Sequence, residues 1–136
     1  MIFVDTGAWI AIYKRNDRHH REAMAIYNNL RDRETQLLTT DYVIDEAVTR
    51  LRYDTNHSVA VAFLEFIGNA EMTGGLTIVE IDKDVFEKAI ALFRQYDSTR
   101  LSFTDCTSFV VCRENNIREA FAFDQHFAMM GIDLRR

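Results

Sequence analysis

The sequence contains no proline, only two cysteines and no long apolar run. Without proline, helix ends must be set by Ser, Thr, Asn, Asp and Gly. Cys106 and Cys112 have the spacing of neither a zinc knuckle nor a redox pair, so both read as packing residues of one buried helix. No stretch approaches the ~20 apolar residues of a membrane span, and the N-terminus enters a strand with no basic leader, so a cytoplasmic protein without a membrane partner is expected. Lysine is scarce as well: Lys14, Lys83 and Lys88 stand alone among 16 basic residues, and the remainder are arginines, the better partners for planar phosphate contacts. A positive excess is also missing. The formal net charge of -5 excludes a polyanion binder that works by overall attraction, although a local basic surface remains compatible with it.

What is present is an ordinary globular composition, 48% hydrophobic and 27% charged, over 136 residues. A chain of that size buries one core, and no linker-like stretch divides it, so residues 1–136 form a single domain. Ile2-Phe3-Val4 reads as a buried strand ending at Asp5, followed by an apolar helical run from Ala8 to Tyr13. An amphipathic helix spans His19 to Leu30; the adjacent His19 and His20 at its start read as ordinary exposed residues. Gln36 to Thr39 is a second strand, with Thr40 or Asp41 capping a helix to about Tyr53. Within that helix Ile44, Ala47, Val48 and Leu51 make the core stripe, which leaves Glu46 at its border on the side of Val43 and Arg50.

A further helix starts at Asn56 or Ser58 and closes at Gly74-Gly75. Leu76 to Ile81 is a third strand, and Asp82 caps an amphipathic helix through Phe93. After the polar loop Ser98 to Ser102, the residues from Phe103 to Cys112 are small or apolar nearly all round, which marks a buried helix with Asp105 in its first turn. Ala120 to Phe123 is a fourth strand finishing at Asp124. Gln125 to Met130 makes a short helical turn, and Ile132 to Leu134 adds a last strand. Strands alternating with helices indicate an α/β domain of three layers around a mostly parallel sheet of roughly five strands.

Each acid has a simple structural role open to it. Asp5 can cap the helix behind it, Asp105 gains from a helix N-terminus, and Glu46 can pair with Arg50 for a few tenths of a kcal/mol. Taken together they read differently. The carboxyl ends of parallel strands, and the helix N-termini leaving them, share one edge of the sheet, so Asp5, Asp105 and Asp124 can meet there. Crowded carboxylates raise one another's pKa and are normally held by a cation, and an all-oxygen set suits Mg²⁺ or Mn²⁺. One such ion, or a pair ~3.5 to 4 Å apart, activates water against a phosphodiester. Composition and pattern leave the fourth ligand open among Asp41, Glu46, Glu80 and Asp82.

The segments from Val4-Asp5-Thr6-Gly7 to Ala122-Phe123-Asp124-Gln125-His126-Phe127 together resemble the PIN-domain family of metal-dependent ribonucleases, most closely its VapC-like toxins. The resemblance implies an acidic quartet of Asp5, Glu46 in Asp45-Glu46-Ala47, Asp105 in Phe103-Thr104-Asp105-Cys106, and Asp124. It implies that these acids hold Mg²⁺ or Mn²⁺, that Thr6 positions a ligand or water, and that single-stranded RNA is cleaved. It further implies a cognate antitoxin and a homodimer. Arg50 and Arg100, near the motifs, are the candidate RNA contacts. One departure is Ala122, where many relatives carry Ser or Thr two residues before the fourth acid. An RNA-processing or structure-specific nuclease that is not a toxin, or a PIN-like protein-binding module with idle acids, is the alternative.

Overall fold

The structure, a computed structural model, describes residues 1–136. Ile2–Val4 forms β1, and all three residues are buried. A strand apolar on both faces belongs in the middle of a covered parallel sheet. β2 (Leu37–Thr40) and β4 (Glu119–Phe121) pair with β1 on either side, β3 (Leu76–Val79) lies outside β2, and β5 (Asp133–Leu134) lies outside β4. Every pairing is parallel. The sheet is therefore wholly rather than mostly parallel, in the order β3-β2-β1-β4-β5.

Helices α1 (Thr6–Tyr13) and α2 (His20–Asp32) connect β1 to β2, and α3 (Asp41–Asp54) and α4 (His57–Met72) connect β2 to β3. Between β3 and β4 run α5 (Lys83–Gln95) and α6 (Phe103–Glu114); α7 (His126–Met129) precedes β5. Helices flank the sheet in an α/β/α arrangement, as the alternation of elements predicts. From β1 the chain builds outward through β2 and β3, then crosses to build β4 and β5 on the other side. Strand order thus reverses beside β1, and the crevice at such a switch point is where open α/β sheets bind ligands.

The missing prolines are replaced by side-chain caps. Thr40, Asn56, Asp82 and Ser102 each accept a hydrogen bond from the backbone N–H three residues on. Thr40, and not Asp41, caps α3; Asp41 Oδ1 instead accepts the Ile81 N–H at 3.0 Å, tying α3 to the segment after β3. α3 buries Val43, Ala47 and Leu51, with Ile44 and Val48 only half-buried, so its core face is rotated toward Val43 and carries Glu46 with it. α6 buries every residue from Cys106 to Cys112, as its composition predicts.

Strand ends differ from the sequence expectation. β3 stops at Val79 and not Ile81, and β4 spans Glu119–Phe121 and not Ala120 to Phe123. Asp124 is therefore not the last residue of a strand. Its carboxylate accepts the His126 backbone N–H at 2.8 Å, a local turn that competes with continued pairing.

Candidate active site

Asp5 leaves β1 with an extended backbone and occupies the N-cap position of α1, yet its side chain makes no cap hydrogen bond. Capping does not account for this acid. Asp5 is only 5% exposed. Burial, and after it the charge of Asp105, pushes its carboxyl up to about 8; Asp124 and Glu46 add to the rise, and the Thr6 backbone N–H opposes it. A buried carboxylate facing three others is costly unless something positive or protic balances it.

The register brings the second acid close. Val4 pairs with Phe121, and the Asp5 N–H donates to the Phe121 carbonyl at 3.1 Å, so the chain leaving β4 passes Asp5 on its way to Asp124. Asp105 is held by a capping box: its backbone N–H donates to Ser102 Oγ at 3.0 Å, and its Oδ2 accepts the Ser102 N–H at 3.0 Å. Burial still raises the Asp105 carboxyl, against the pull of the Ser102 hydrogen bonds. The helix-terminus role expected of Asp105 is thus real, and it leaves Oδ1 outside the box.

Asp5, Thr6, Glu46, Asp105, Asp124 and Arg50 all line one cavity of about 500 Å³ at the carboxyl edge of the sheet. Glu46 and Arg50 face this space in place of the simple helix-surface pair. Arg100 is exposed in the loop before Ser102 and does not line the cavity. Its nearness to α6 in sequence does not carry it to the acids, because the chain turns into the helix only after Leu101.

Sequence reasoning missed one tight cluster. Donor atoms of Asp105, Asp124 and His126 lie within 4.8 Å of one another, whereas Asp5 and Glu46 line the cavity outside that cluster. His126 Nδ1 is 2.8 Å from Asp124 Oδ1 and 4.0 Å from Asp105 Oδ2, but it is not aligned to donate and is buried without a hydrogen-bond partner. The Asp124-x-His126 spacing was the available signal, since a turn of that length folds both side chains to one side. Thr6, a 3% exposed residue, also has a hydroxyl without a partner. Arg18, His19 and Phe123 complete the rim, including the histidine that sequence alone left as an ordinary surface residue. The cysteines play no chemical part: burial pushes the Cys112 thiol up to about 12, with Asp5 adding to it, and burial raises Cys106 as well.

Oxygen donors in excess, one unpartnered hydroxyl and one unpartnered imidazole nitrogen fit a hard divalent cation. Residues 2–132 match the PIN domain. The chain is similar to the 23S rRNA-specific endonuclease VapC20 of Mycobacterium tuberculosis strains CDC 1551 / Oshkosh and ATCC 25618 / H37Rv. Identity to each is 30% over 131 residues, covering 96% of this chain and 95% of the relative. It also matches the crystal structure of Mycobacterium tuberculosis VapC20, a sarcin-ricin loop cleaving toxin, with a TM-score of 0.86 and 28% identity. That match covers 97% of this chain and 96% of the other. With a family match over nearly its whole length and a relative of the same fold and size, the chain belongs to the PIN-domain family and is a VapC-like nuclease.

Proposed function

We propose that this protein is a divalent-metal-dependent endoribonuclease that hydrolyses a single-stranded stretch of RNA, and that it acts as the toxin of a toxin–antitoxin pair. The observation that carries the reading is the buried Asp5, whose carboxyl rises to about 8 among three other acids while capping nothing. Perturbation of that size, in a cleft and beside named charges, marks a group kept for chemistry.

Asp5, Glu46, Asp105 and Asp124 are the proposed holders of Mg²⁺ or Mn²⁺, with His126 beside the last two. The bound ion supplies an activated water and offsets the charge that develops on the phosphate. Ser102 fixes Asp105 through the capping box, and the His126 N–H fixes Asp124. The unpartnered Thr6 hydroxyl can orient a ligand or the attacking water. Arg50 at the rim offers a planar charge to the phosphate backbone.

The 23S rRNA on which the Mycobacterium tuberculosis relatives act makes a loop of large ribosomal RNA the substrate to test first. Cytoplasmic action agrees with that target, and no helix is long and apolar enough to cross a membrane. A basic or apolar antitoxin segment would complement the acidic cavity. Self-association is supported by Phe86 and Phe93, 38% and 50% exposed on α5 and packed against Phe103 of α6.

The test is cleavage of labelled single-stranded RNA and purified ribosomal RNA by the intact protein, with Mg²⁺ or Mn²⁺ and with EDTA, beside Asp5→Asn. Metal-dependent cleavage abolished by the substitution is expected. Cleavage that ignores EDTA and survives Asp5→Asn would overturn the mechanism.

A further inference from the structure

The rim of the acidic cavity carries a feature that metal binding does not use. His19, in the turn before α2, stacks on Phe123, after β4, with ring centroids 4.2 Å apart and planes 5° from parallel. Phe123 is anchored from the core side by Phe121, edge-on at 6.1 Å. The imidazole is fixed on its other sides. Its backbone N–H donates to Asp17 Oδ1 at 2.8 Å, its Nε2 accepts from Arg18 Nε at 3.1 Å, and its Nδ1 lies 4.0 Å from Glu22. Accepting at Nε2 leaves the ring proton on Nδ1, facing the Glu22 carboxylate. Unlike the core aromatics, both rings are half-exposed, and both line the cavity that holds the acids.

From this arrangement the geometry points to a nucleobase-stacking platform: a base of the RNA, next to the scissile phosphate, extends the Phe123-His19 stack while Arg18 and Arg50 flank the strand. The inference rests on the ribonuclease reading and adds what holds the substrate there. Electrostatics alone hold it poorly, because the cavity gathers five carboxylates and the chain carries a net charge of -5. Stacking is indifferent to that charge, is available to every base, and is strongest on unpaired strands whose bases can splay out. Arg18 also gains from the arrangement. Bonded through Nε to the imidazole, it keeps its remaining N–H groups for phosphate.

The experiment uses the full-length protein, His19→Ala and the aromatic-preserving His19→Phe, each checked by thermal melting. RNA carrying single 2-aminopurine substitutions is bound in EDTA, where stacking quenches the probe. The same RNA, intact or abasic at one nucleotide at a time around the mapped cleavage site, is then cleaved with Mn²⁺. At one position next to the cleaved bond, wild type and His19→Phe should quench and His19→Ala should not. His19→Ala should lower kcat/KM by roughly 10-fold or more, the scale of one base–aromatic stack, and the deficit should vanish on RNA abasic at that position. A folded His19→Ala that quenches and cleaves like wild type, or that loses the same factor on every abasic RNA, would overturn the platform. Quenching that depends on His19 without any metal-dependent cleavage would leave the platform standing and remove the nuclease reading.

Discussion

The two edges of the sheet differ in a way that cavity size conceals. The larger cavity, about 720 Å³, lies toward the amino ends of β2 and β3, walled by Trp9, Tyr27 and Phe66 with Glu34 as its one carboxylate. The cavity at the carboxyl edge is smaller, about 500 Å³, and holds the four acids. Around the amino-edge cavity the polar groups are matched: the Trp9 indole N–H donates to Thr39 Oγ1 at 3.3 Å, and the Thr73 hydroxyl donates to the Asn69 carbonyl at 3.0 Å. At the carboxyl edge Thr6 Oγ1 and His126 Nδ1 lack partners, and Asp5 is held far from its ordinary ionisation. Unmet polar demand, more than volume, separates a site from a packing gap. The direction of the strands explains why the demand collects there, since the helices that leave the strands begin on that edge.

The largest expected effect divides the edges by activity. Asp5→Asn should lower metal-dependent RNA cleavage by more than about 100-fold in initial rate. Phe66→Ala at the opposite edge should leave the rate per folded molecule unchanged, and a loss there in folded protein would break the contrast.

The next effect is on stability against pH. In metal-free protein the Asp5 carboxyl titrates near 8 when folded, against 3.8 for an unperturbed Asp. The folded state then binds more protons than the unfolded state between those values. The stability Asp5 contributes is complete below about pH 4 and disappears as pH rises through about 8. The raised Asp105 acts in the same sense. Urea denaturation in EDTA across this range should show the decline, and Asp5→Asn should flatten it. Mn²⁺ at 100 times its dissociation constant should restore about 2.7 kcal/mol at the alkaline end, and not in Asp5→Asn.

Smaller effects probe packing. Phe66 contacts the rings of Trp9, Tyr13 and Tyr27, so Phe66→Ala should cost roughly 2–3 kcal/mol with no dependence on metal. Ser102→Ala removes one bond of the capping box. About 1 kcal/mol of stability should go with it, read as a lower melting temperature, together with weaker metal binding by calorimetry as Asp105 loses its hold.

Much of the architecture is legible in short stretches. Ile2-Phe3-Val4 can only be a covered strand, and the residues from Phe103 to Cys112 can only be an enclosed helix, because burial on all sides demands apolar or small side chains all round. Asp5 and Asp105 stand out because each interrupts or opens such a stretch. Glu46 does not, since a Glu beside a helical core stripe is ordinary; only the resemblance singled it out from Asp41, Glu80 and Asp82. The structure gives Asp41 and Asp82 other work, as acceptors for Ile81 and Val85. Arg100 shows the limit of arguing from sequence proximity, for it lies five residues from Asp105 and faces solvent.

By itself, then, the sequence determined the order of strands and helices, the parallel sheet and the acid that follows β1. Each follows from local periodicity and from which side chains tolerate burial. Tertiary structure alone decided that Asp5 caps nothing and that His126 joins Asp105 and Asp124. It also decided that His19 meets Phe123 across 104 positions of chain. Those are relations between segments brought side by side at one sheet edge, and no local pattern encodes a distance between residues that the chain separates so widely.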